Sequence, residues 1–433
     1  MRYVVTSRNA AAESVYGLVR AVLGGEIPLR IRCWDGSEAG PPDAPVRLVL
    51  RRRRALRRLV WAPNELGIAR CFVSGDLDVE SDFFESLSHL ERVVGSQSGT
   101  LDVDGAVKWD VIKTGLRLRA FGLPPKPPAE EIRLGGRLHS KRRDAEAISH
   151  HYDVGNDFYA LVLGPSMTYS CAVWGEGVTS LEEAQTAKVD LVARKLGLRE
   201  GMRVLDVGCG WGTFVIHAAR EYGARAVGVT LSQAQADFAR KRVAEEGLSD
   251  LVEIRVQDYR DVRDGPYDAI SSIGMAEHVG QSMLPTYAKA LYDLLKPEGR
   301  LLNHAISRKA GVPGRTTDKT SFINRYVFPD GELEPVSVMA GAIEEAGFEI
   351  RDVEALREHY ALTLRAWVAN LEEHWQDAVR LTSEGRARVW RLYMAASALT
   401  FERGSIGVNQ VLAVKTSDKG KSGFPRTRTA LLS

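Results

Sequence analysis

The ten residues Arg203-Val-Leu-Asp-Val-Gly-Cys-Gly-Trp-Gly212 constrain the fold more than any other stretch of the chain. Val204, Leu205 and Val207 read as a short buried strand. Gly208, Gly210 and Gly212 then let the backbone turn sharply and approach a ligand without a Cβ in the way. A helical pattern, Thr213–Glu221, follows at once. The same alternation continues: strand-like runs at Ala226–Thr230, Val252–Val256, Tyr267–Ile273 and Gly299–His304 are separated by helical segments such as Ser232–Glu246 and Leu284–Leu295. Short apolar strands alternating with helices predict an α/β fold, a mostly parallel sheet covered by helices on both faces. Further on, Trp367, Leu371, Trp375, Val379 and Leu381 suggest helices whose apolar stripe packs into the core.

The N-terminal part has a different character. Val15, Leu18, Val19 and Val22 fall on one side of a helix, and strand-like runs follow at Ile27–Cys33 and Val46–Leu50. This predicts a smaller α+β domain over residues 1–121. The proline-rich run Gly122-Leu-Pro-Pro-Lys-Pro-Pro-Ala129 forbids continuous helix and marks a linker over 122–136. Residues 137–433 then form the larger domain.

Composition narrows the function. A formal net charge of +2 over 433 residues argues against a general nucleic-acid binder. Cys33, Cys71, Cys171 and Cys209 are far apart and unpaired in spacing, so neither a zinc site nor a disulfide framework is expected. No stretch approaches the roughly 20 apolar residues of a membrane span, and no secretory signal is visible. The expectation is a cytoplasmic protein, with free thiols and no metal.

The glycine spacing separates two ligand classes. A dinucleotide fingerprint is G-x-G-x-x-G, which receives a pyrophosphate. Here the pattern is G-x-G-x-G, with Asp206 inside the preceding strand. The second strand ends in Val229-Thr230-Leu231, without the acid that commonly holds a ribose, and Ser232 and Gln235 follow. Thr230, Ser232 and Gln235 are side chains able to hydrogen-bond a nucleoside or an amino-acid moiety, with Ser232 equally suited to cap the next helix. Asp258 and Tyr259 stand after the third strand, where an adenine would lie.

The D-x-G-x-G form resembles the first motif of class I S-adenosylmethionine-dependent methyltransferases. More specific runs surround it: His150-His-Tyr-Asp-Val-Gly-Asn-Asp-Phe158, Met167-Thr-Tyr-Ser-Cys-Ala-Val-Trp174, Glu183-Ala-Gln-Thr-Ala-Lys188 and Gly274-Met-Ala-Glu-His-Val-Gly280. Together they resemble the cyclopropane fatty acid synthase family, which includes the mycolic acid methyltransferases, over about residues 140–410. The resemblance implies methyl transfer to a cis double bond of an unsaturated phospholipid acyl chain. A bound bicarbonate then removes a proton from the resulting cation. It implies Cys171, Glu277, His304, Ile306 and Tyr360 around the base. It implies Tyr169, Ser170, Asp206, Gly208, Gly210, Thr230, Leu231, Gln235, Asp258 and Tyr259 around S-adenosylmethionine. An alkene is a weak nucleophile, so orientation must supply much of the rate. Tyr152, Phe158, Tyr169 and Trp174 are candidates to stabilise the cation through their π faces. The chain departs from the family in Met275-Ala276-Glu277, where an aromatic residue often precedes the glutamate. Ring closure and a methylene branch share the transfer step and part at deprotonation, and the sequence leaves both open.

The run Arg51-Arg-Arg-Arg-Ala-Leu-Arg-Arg58, followed by Leu59, Val60 and Trp61, suits either a solvated helix face or docking on anionic headgroups. The expected location is therefore peripheral to the inner face of a membrane. The resemblance leaves room for a homo-oligomer and, if the product is a methylene branch, for a reductase partner. Two other functions fit the fold: an NAD-dependent oxidoreductase, disfavoured by the glycine spacing, and a non-catalytic lipid-binding protein, disfavoured by intact Glu277, His304 and Tyr360.

Overall fold

The computed structural model describes residues 10–23, 27–95, 105–132, 154–312, 321–329 and 331–432. His150–Asp153, with the candidate Tyr152, and the end of the expected linker lie outside them. The chain divides into two compact units.

The first unit takes in Met1–Ile132 together with Lys319–Tyr326 and Ser383–Leu399. This differs from the division expected from the proline run, which assigned everything after residue 136 to one domain. The reason is long-range ion pairing that leaves no local signal. Glu131 pairs with Arg70 at 2.7 Å and with Arg325 at 2.5 Å. Asp78 pairs with Arg388 at 3.1 Å, and that guanidinium lies 5.3 Å from the centre of the Phe72 ring. The unit's sheet runs β2-β1-β3-β4, from β1 (Leu29–Cys33), β2 (Glu38–Ala39), β3 (Val46–Leu50) and β4 (Leu77–Val79). β1 and β3 are parallel, and Leu29, Ile31, Cys33, Val46 and Leu50 alternate into its core.

The arginine run is neither a solvated face nor wholly free for headgroups. Arg54 and Arg58 both hold Asp76, which is fully buried, at 2.8 and 3.2 Å. Arg51 holds Asp78 at 2.7 Å, and Arg53 sits 5.7 Å from the Trp34 ring centre.

The second unit is built on a seven-stranded sheet in the order β10-β11-β9-β8-β5-β6-β7. Its strands are β5 (Arg203–Val207), β6 (Arg225–Thr230), β7 (Val252–Val256), β8 (Tyr267–Ile273), β9 (Leu295–Arg308), β10 (Glu349–Ala355) and β11 (Ile406–Val414). β5 to β9 are mutually parallel, and β11 is antiparallel to both β9 and β10. Both sheet faces are covered, which explains the unbroken apolar runs. Leu205, Val207, Ile270 and Leu301 point into one core cluster; Val204, Ala269 and Leu302 point into the other. The stripe expected from Trp367 to Leu381 breaks at His374. Trp367 and Leu371 are buried in helix Arg357–Glu373, whereas Leu381, at the end of helix Trp375–Leu381, is exposed.

Helix Leu181–Leu196 precedes β5. Ser180 and Glu183 form a capping box at its start, and Gly197 in the left-handed conformation ends it. Its covered face carries Gln185, Lys188 and Lys195 among the apolar residues. No helix among the described residues is long and apolar enough to cross a membrane.

Candidate active site

In an open parallel sheet, ligands bind beyond the carboxyl ends of the strands, where neighbouring connections leave in opposite directions. Here that point lies between β5 and β8. The turn after β5 is built for close approach. The N–H groups of Gly208 and Cys209 both donate to the Val229 carbonyl, at 2.9 and 3.0 Å, folding the turn back over β6. Gly210 has φ +54°, and a Cβ there would enter open space rather than touch protein.

That space is a cleft of about 950 Å³. All ten cofactor positions expected from the sequence line it, from Tyr169 and Ser170 through Asp206, Gly208, Gly210, Thr230, Leu231 and Gln235 to Asp258 and Tyr259. Thr230 donates to Gln235 Oε1 at 2.9 Å. Ser232 accepts from the Gln235 N–H, so it is the helix cap and not a lining residue. Asp258 is held by the Arg260 guanidinium at 2.6 Å. Asp206 accepts from Ser271 Oγ at 2.6 Å, and burial pushes its carboxyl up to about 6.

Sequence reasoning missed three members of this surface. Lys188 lines the cleft and donates to Ser170 Oγ at 3.1 Å; burial lowers its ammonium to about 8, against the pull of Cys171 and Asp206. His278 also lines it, with burial lowering its imidazole to about 4. Met275, next to the Ala276 that stands where the family often has an aromatic residue, packs over Gly208 at the cleft wall.

The five base-site candidates are placed differently. Glu277 and Ile306 meet: the Ile306 N–H donates to Glu277 Oε1 at 2.7 Å, and both line a second cavity of about 340 Å³. The other carboxylate oxygen, Oε2, is shielded from solvent without a hydrogen-bond partner among the described residues. Burial raises this carboxyl to about 7, opposed by the Ile306 N–H. Cys171, His304 and Tyr360 are buried and line neither cavity. Burial drives the Cys171 thiol far above its ordinary range, which disfavours the thiolate a nucleophile would need. His304 Nε2 likewise has no hydrogen-bond partner among the described residues. Lys188 lies within electrostatic reach of both Cys171 and His304, linking the cleft floor to this group.

A row of rings connects the cleft to Tyr360. Trp211 and Tyr159 are 4.8 Å apart, Tyr159 and Tyr169 5.8 Å, Tyr169 and Trp367 5.3 Å, and Trp367 and Tyr360 6.0 Å. Phe158 abuts Tyr159 at 6.2 Å. Trp174 is turned toward helix Arg357–Glu373, donating from Nε1 to Thr363 Oγ1 at 3.1 Å.

A mostly parallel sheet of this order, a glycine turn after β5 and a polar cleft at the strand ends define a class I S-adenosylmethionine-dependent methyltransferase. Comparison narrows the class: the model of the mycolic acid cyclopropane synthetase family matches residues 139–411, and the chain belongs to that family. A probable fatty acid methyltransferase of Mycobacterium tuberculosis is 45% identical, covering 93% of this chain and 94% of that relative. The cyclopropane-fatty-acyl-phospholipid synthase of Escherichia coli K12 is 37% identical over 67% of this chain and 74% of its own. A solved mycolic acid cyclopropane synthase complexed with SAH and CTAB superposes with a TM-score of 0.59, at 34% identity, over 62% of this chain and 97% of that one.

Proposed function

We propose that the chain transfers the methyl group of S-adenosylmethionine to a cis double bond in the acyl chain of a membrane phospholipid. The observation that carries the reading is the row of rings running from the cofactor cleft at Trp211 to Tyr360. It joins a place for a sulfonium to a dry, π-rich interior. The relatives named for fatty-acid and acyl-phospholipid substrates, and the relative holding SAH with CTAB, a single-chain surfactant, support it.

In this reading the alkene π pair attacks the methyl carbon. The new C–C bond forms as the C–S bond breaks, and the sulfur keeps its electron pair. The neighbouring carbon becomes a cation that ring faces stabilise and water must not reach. Proton loss from the new methyl group closes a cyclopropane; if a hydride first shifts from the methylated carbon to the cation, the same proton loss leaves a methylene branch, which a reductase partner would saturate. Glu277 Oε2, protonated as its raised carboxyl allows, and the unpartnered His304 Nε2 suit a small oxyanion as hydrogen-bond donors. Bicarbonate bound there would supply a base for that proton. Glu277, His304 and Tyr360 would hold it, with no proton passing through Cys171.

The first unit is proposed to dock on the bilayer that holds the substrate. On helix Gly105–Arg117, Trp109, Ile112 and Leu116 follow i, i+3, i+7 spacing and are all exposed, Leu116 to 63%. Lys113 lies beside Trp109. An exposed aromatic and aliphatic stripe with flanking cations suits the headgroup region of an anionic membrane.

The test uses the full chain, methyl-labelled S-adenosylmethionine and vesicles of unsaturated phospholipid. Mass spectrometry of the released acyl chains should find a gain of one CH₂ on the labelled chain. Label confined to headgroups, or no transfer, overturns the reading.

A further inference from the structure

Among the described residues Lys195 is the most enclosed cation of the second unit, with no solvent exposure at all. It lies two turns beyond Lys188 on the same helix face. Its ammonium donates to Glu354 Oε2 at 2.5 Å and to Gln410 Oε1 at 2.7 Å, with Asp352 Oδ2 at 3.6 Å. Arg428 holds Asp352 from its other side at 3.0 Å. Gln410, also fully buried, stands opposite His304 in the β11–β9 register, so the two side chains share a sheet face. Gln410 Nε2 lies 3.3 Å from His304 Nδ1.

These contacts fix proton positions by elimination. An ammonium has three donors and no acceptor. The end of the Gln410 amide facing Lys195 must therefore be its oxygen, which turns the NH₂ end toward His304. An amide NH₂ donates and does not accept, so His304 Nδ1 must offer its lone pair. The ring proton then sits on Nε2. The opposite tautomer would set two N–H groups against each other at 3.3 Å between two buried side chains. Flipping the amide instead would set its NH₂ against the ammonium.

We propose that Lys195 and Gln410 are positioning residues: the ammonium locks the amide, and the amide locks His304 as its Nε2–H tautomer, presenting a hydrogen-bond donor to the base site. This rests on the reading of His304 given above. Burial, with the charges of Lys188 and Lys195, lowers the imidazole to about 3, so the ring stays neutral while it donates. A neutral donor holds an oxyanion without protonating it, which leaves a base its basicity. Nε2, the atom the lock makes a donor, is the one left unpartnered among the described residues.

The experiment is ¹⁵N NMR of the full chain labelled at histidine, with His304→Gln assigning the resonance. The wild type should hold His304 in the Nε2–H form, unchanged from pH 6 to pH 9. Gln410→Glu puts an acceptor-only group beside Nδ1 and should invert the tautomer. Its turnover should fall at least tenfold with the KM for S-adenosylmethionine unchanged. Lys195→Met should leave the amide free to turn and give a mixture. An Nδ1–H or charged His304 in the wild type overturns the lock, and that measurement needs no lock variant to fold. A fully active His304→Gln enzyme with an Nε2–H wild type would instead remove His304 from the base site while leaving the lock standing.

Discussion

Both units bury charge, and they do it in opposite ways. In the first, the buried carboxylates among the described residues are closed by cations: Asp76 by Arg54 and Arg58, Glu131 by Arg70 and Arg325. Burial would raise these carboxyls, but the guanidinium hydrogen bonds outweigh it and hold both below the ordinary carboxylate range. Around the cleft and second cavity of the second unit the corresponding groups are left open, whereas Lys195, away from both, is closed by Glu354 and Gln410. Asp206 has a hydroxyl partner, Lys188 has a hydroxyl partner, and Glu277 keeps an oxygen with no partner among the described residues. There burial wins, raising the two acids and lowering the lysine. A closed network is architecture, because nothing remains for a ligand to satisfy. An open one is costly on folding and is repaid when a ligand binds.

The comparison is broken most directly at Asp76. Removing one partner of a buried pair leaves the other charge uncompensated, at about 3–5 kcal/mol. Asp76→Ala should lower the denaturant midpoint of the protein by that order while affinity for S-adenosylmethionine, measured on the folded fraction, stays put. A stable variant would mean that Arg54 and Arg58 find water, and that the first unit's network is not closed.

Glu277→Gln should do the reverse. Loss of the carboxylate should reduce turnover by about 100-fold or more, the range expected for a group that positions a proton acceptor. Cofactor affinity should not change. Removing bicarbonate should slow the wild type too. Stability should move the other way, and its pH dependence has a definite sign. The folded carboxyl, raised to about 7 from an ordinary 4.5, stabilises the fold fully below pH 4.5; that contribution is lost as pH rises through 7. The variant has no such loss, so its advantage over wild type should grow between pH 5 and pH 7 to roughly 2 kcal/mol. Melting curves across that interval check it; a flat difference would mean an ordinary, solvated glutamate.

At Gly210 the effect should be smaller and confined to the cofactor. Its φ of +54° costs a β-branched residue about 1–2 kcal/mol, and the new side chain would project into the cleft. Gly210→Val should therefore weaken S-adenosylmethionine binding by at least about 30-fold in calorimetry, roughly 2 kcal/mol. Unchanged affinity would remove the glycine turn from the cofactor site.

How much of this was legible in the chain depended on whether the signal was local. Arg203–Val207, Val252–Val256 and Tyr267–Ile273 are strands at the residues expected, because a buried parallel strand writes itself as an apolar run. The family resemblance and the fold it implies were legible for the same reason: their motifs are contiguous. β9 was read too short, as Gly299–His304, because its ends Leu295–Glu298 and Ala305–Arg308 mix polar and charged residues with the apolar ones, yet the strand runs Leu295–Arg308. The extension of the first unit into residues 383–399 rests on Arg388 meeting Asp78, far apart in sequence. Lys188 and Lys195 had a readable signal that went unused. Their spacing of seven places them on the helix face of Val192 and Leu196, where a lysine is out of place unless it is held.

The smallest expected effect lies on the surface of the first unit, and it decides what the unpaired part of that unit is for. The apolar stripe and the arginine run make separable contributions to bilayer binding. Changing all of Arg51–Arg54 would also take Arg54 from Asp76 and Arg51 from Asp78, leaving each carboxylate only its second cation, Arg58 or Arg388, so a loss of binding there would confound docking with destabilisation. Arg52→Gln with Arg53→Gln spares both pairs and costs the fold only the contact of Arg53 with Trp34. Each basic residue near an anionic surface contributes about 1 kcal/mol, so this pair should weaken binding to anionic vesicles by up to about 30-fold at low salt. The loss should fade as salt approaches 0.1 M and beyond, where charges are screened within about 10 Å. Trp109→Ala with Leu116→Ala should instead weaken binding at every salt concentration, by about tenfold, because buried apolar area is not screened. Both doubles should keep wild-type turnover on substrate dispersed in detergent, since neither touches the cofactor cleft. Co-sedimentation with vesicles reads both effects. If the arginine variant binds as wild type at low salt while the tryptophan variant does not, docking is apolar alone. If both bind as wild type, the stripe covers something other than lipid.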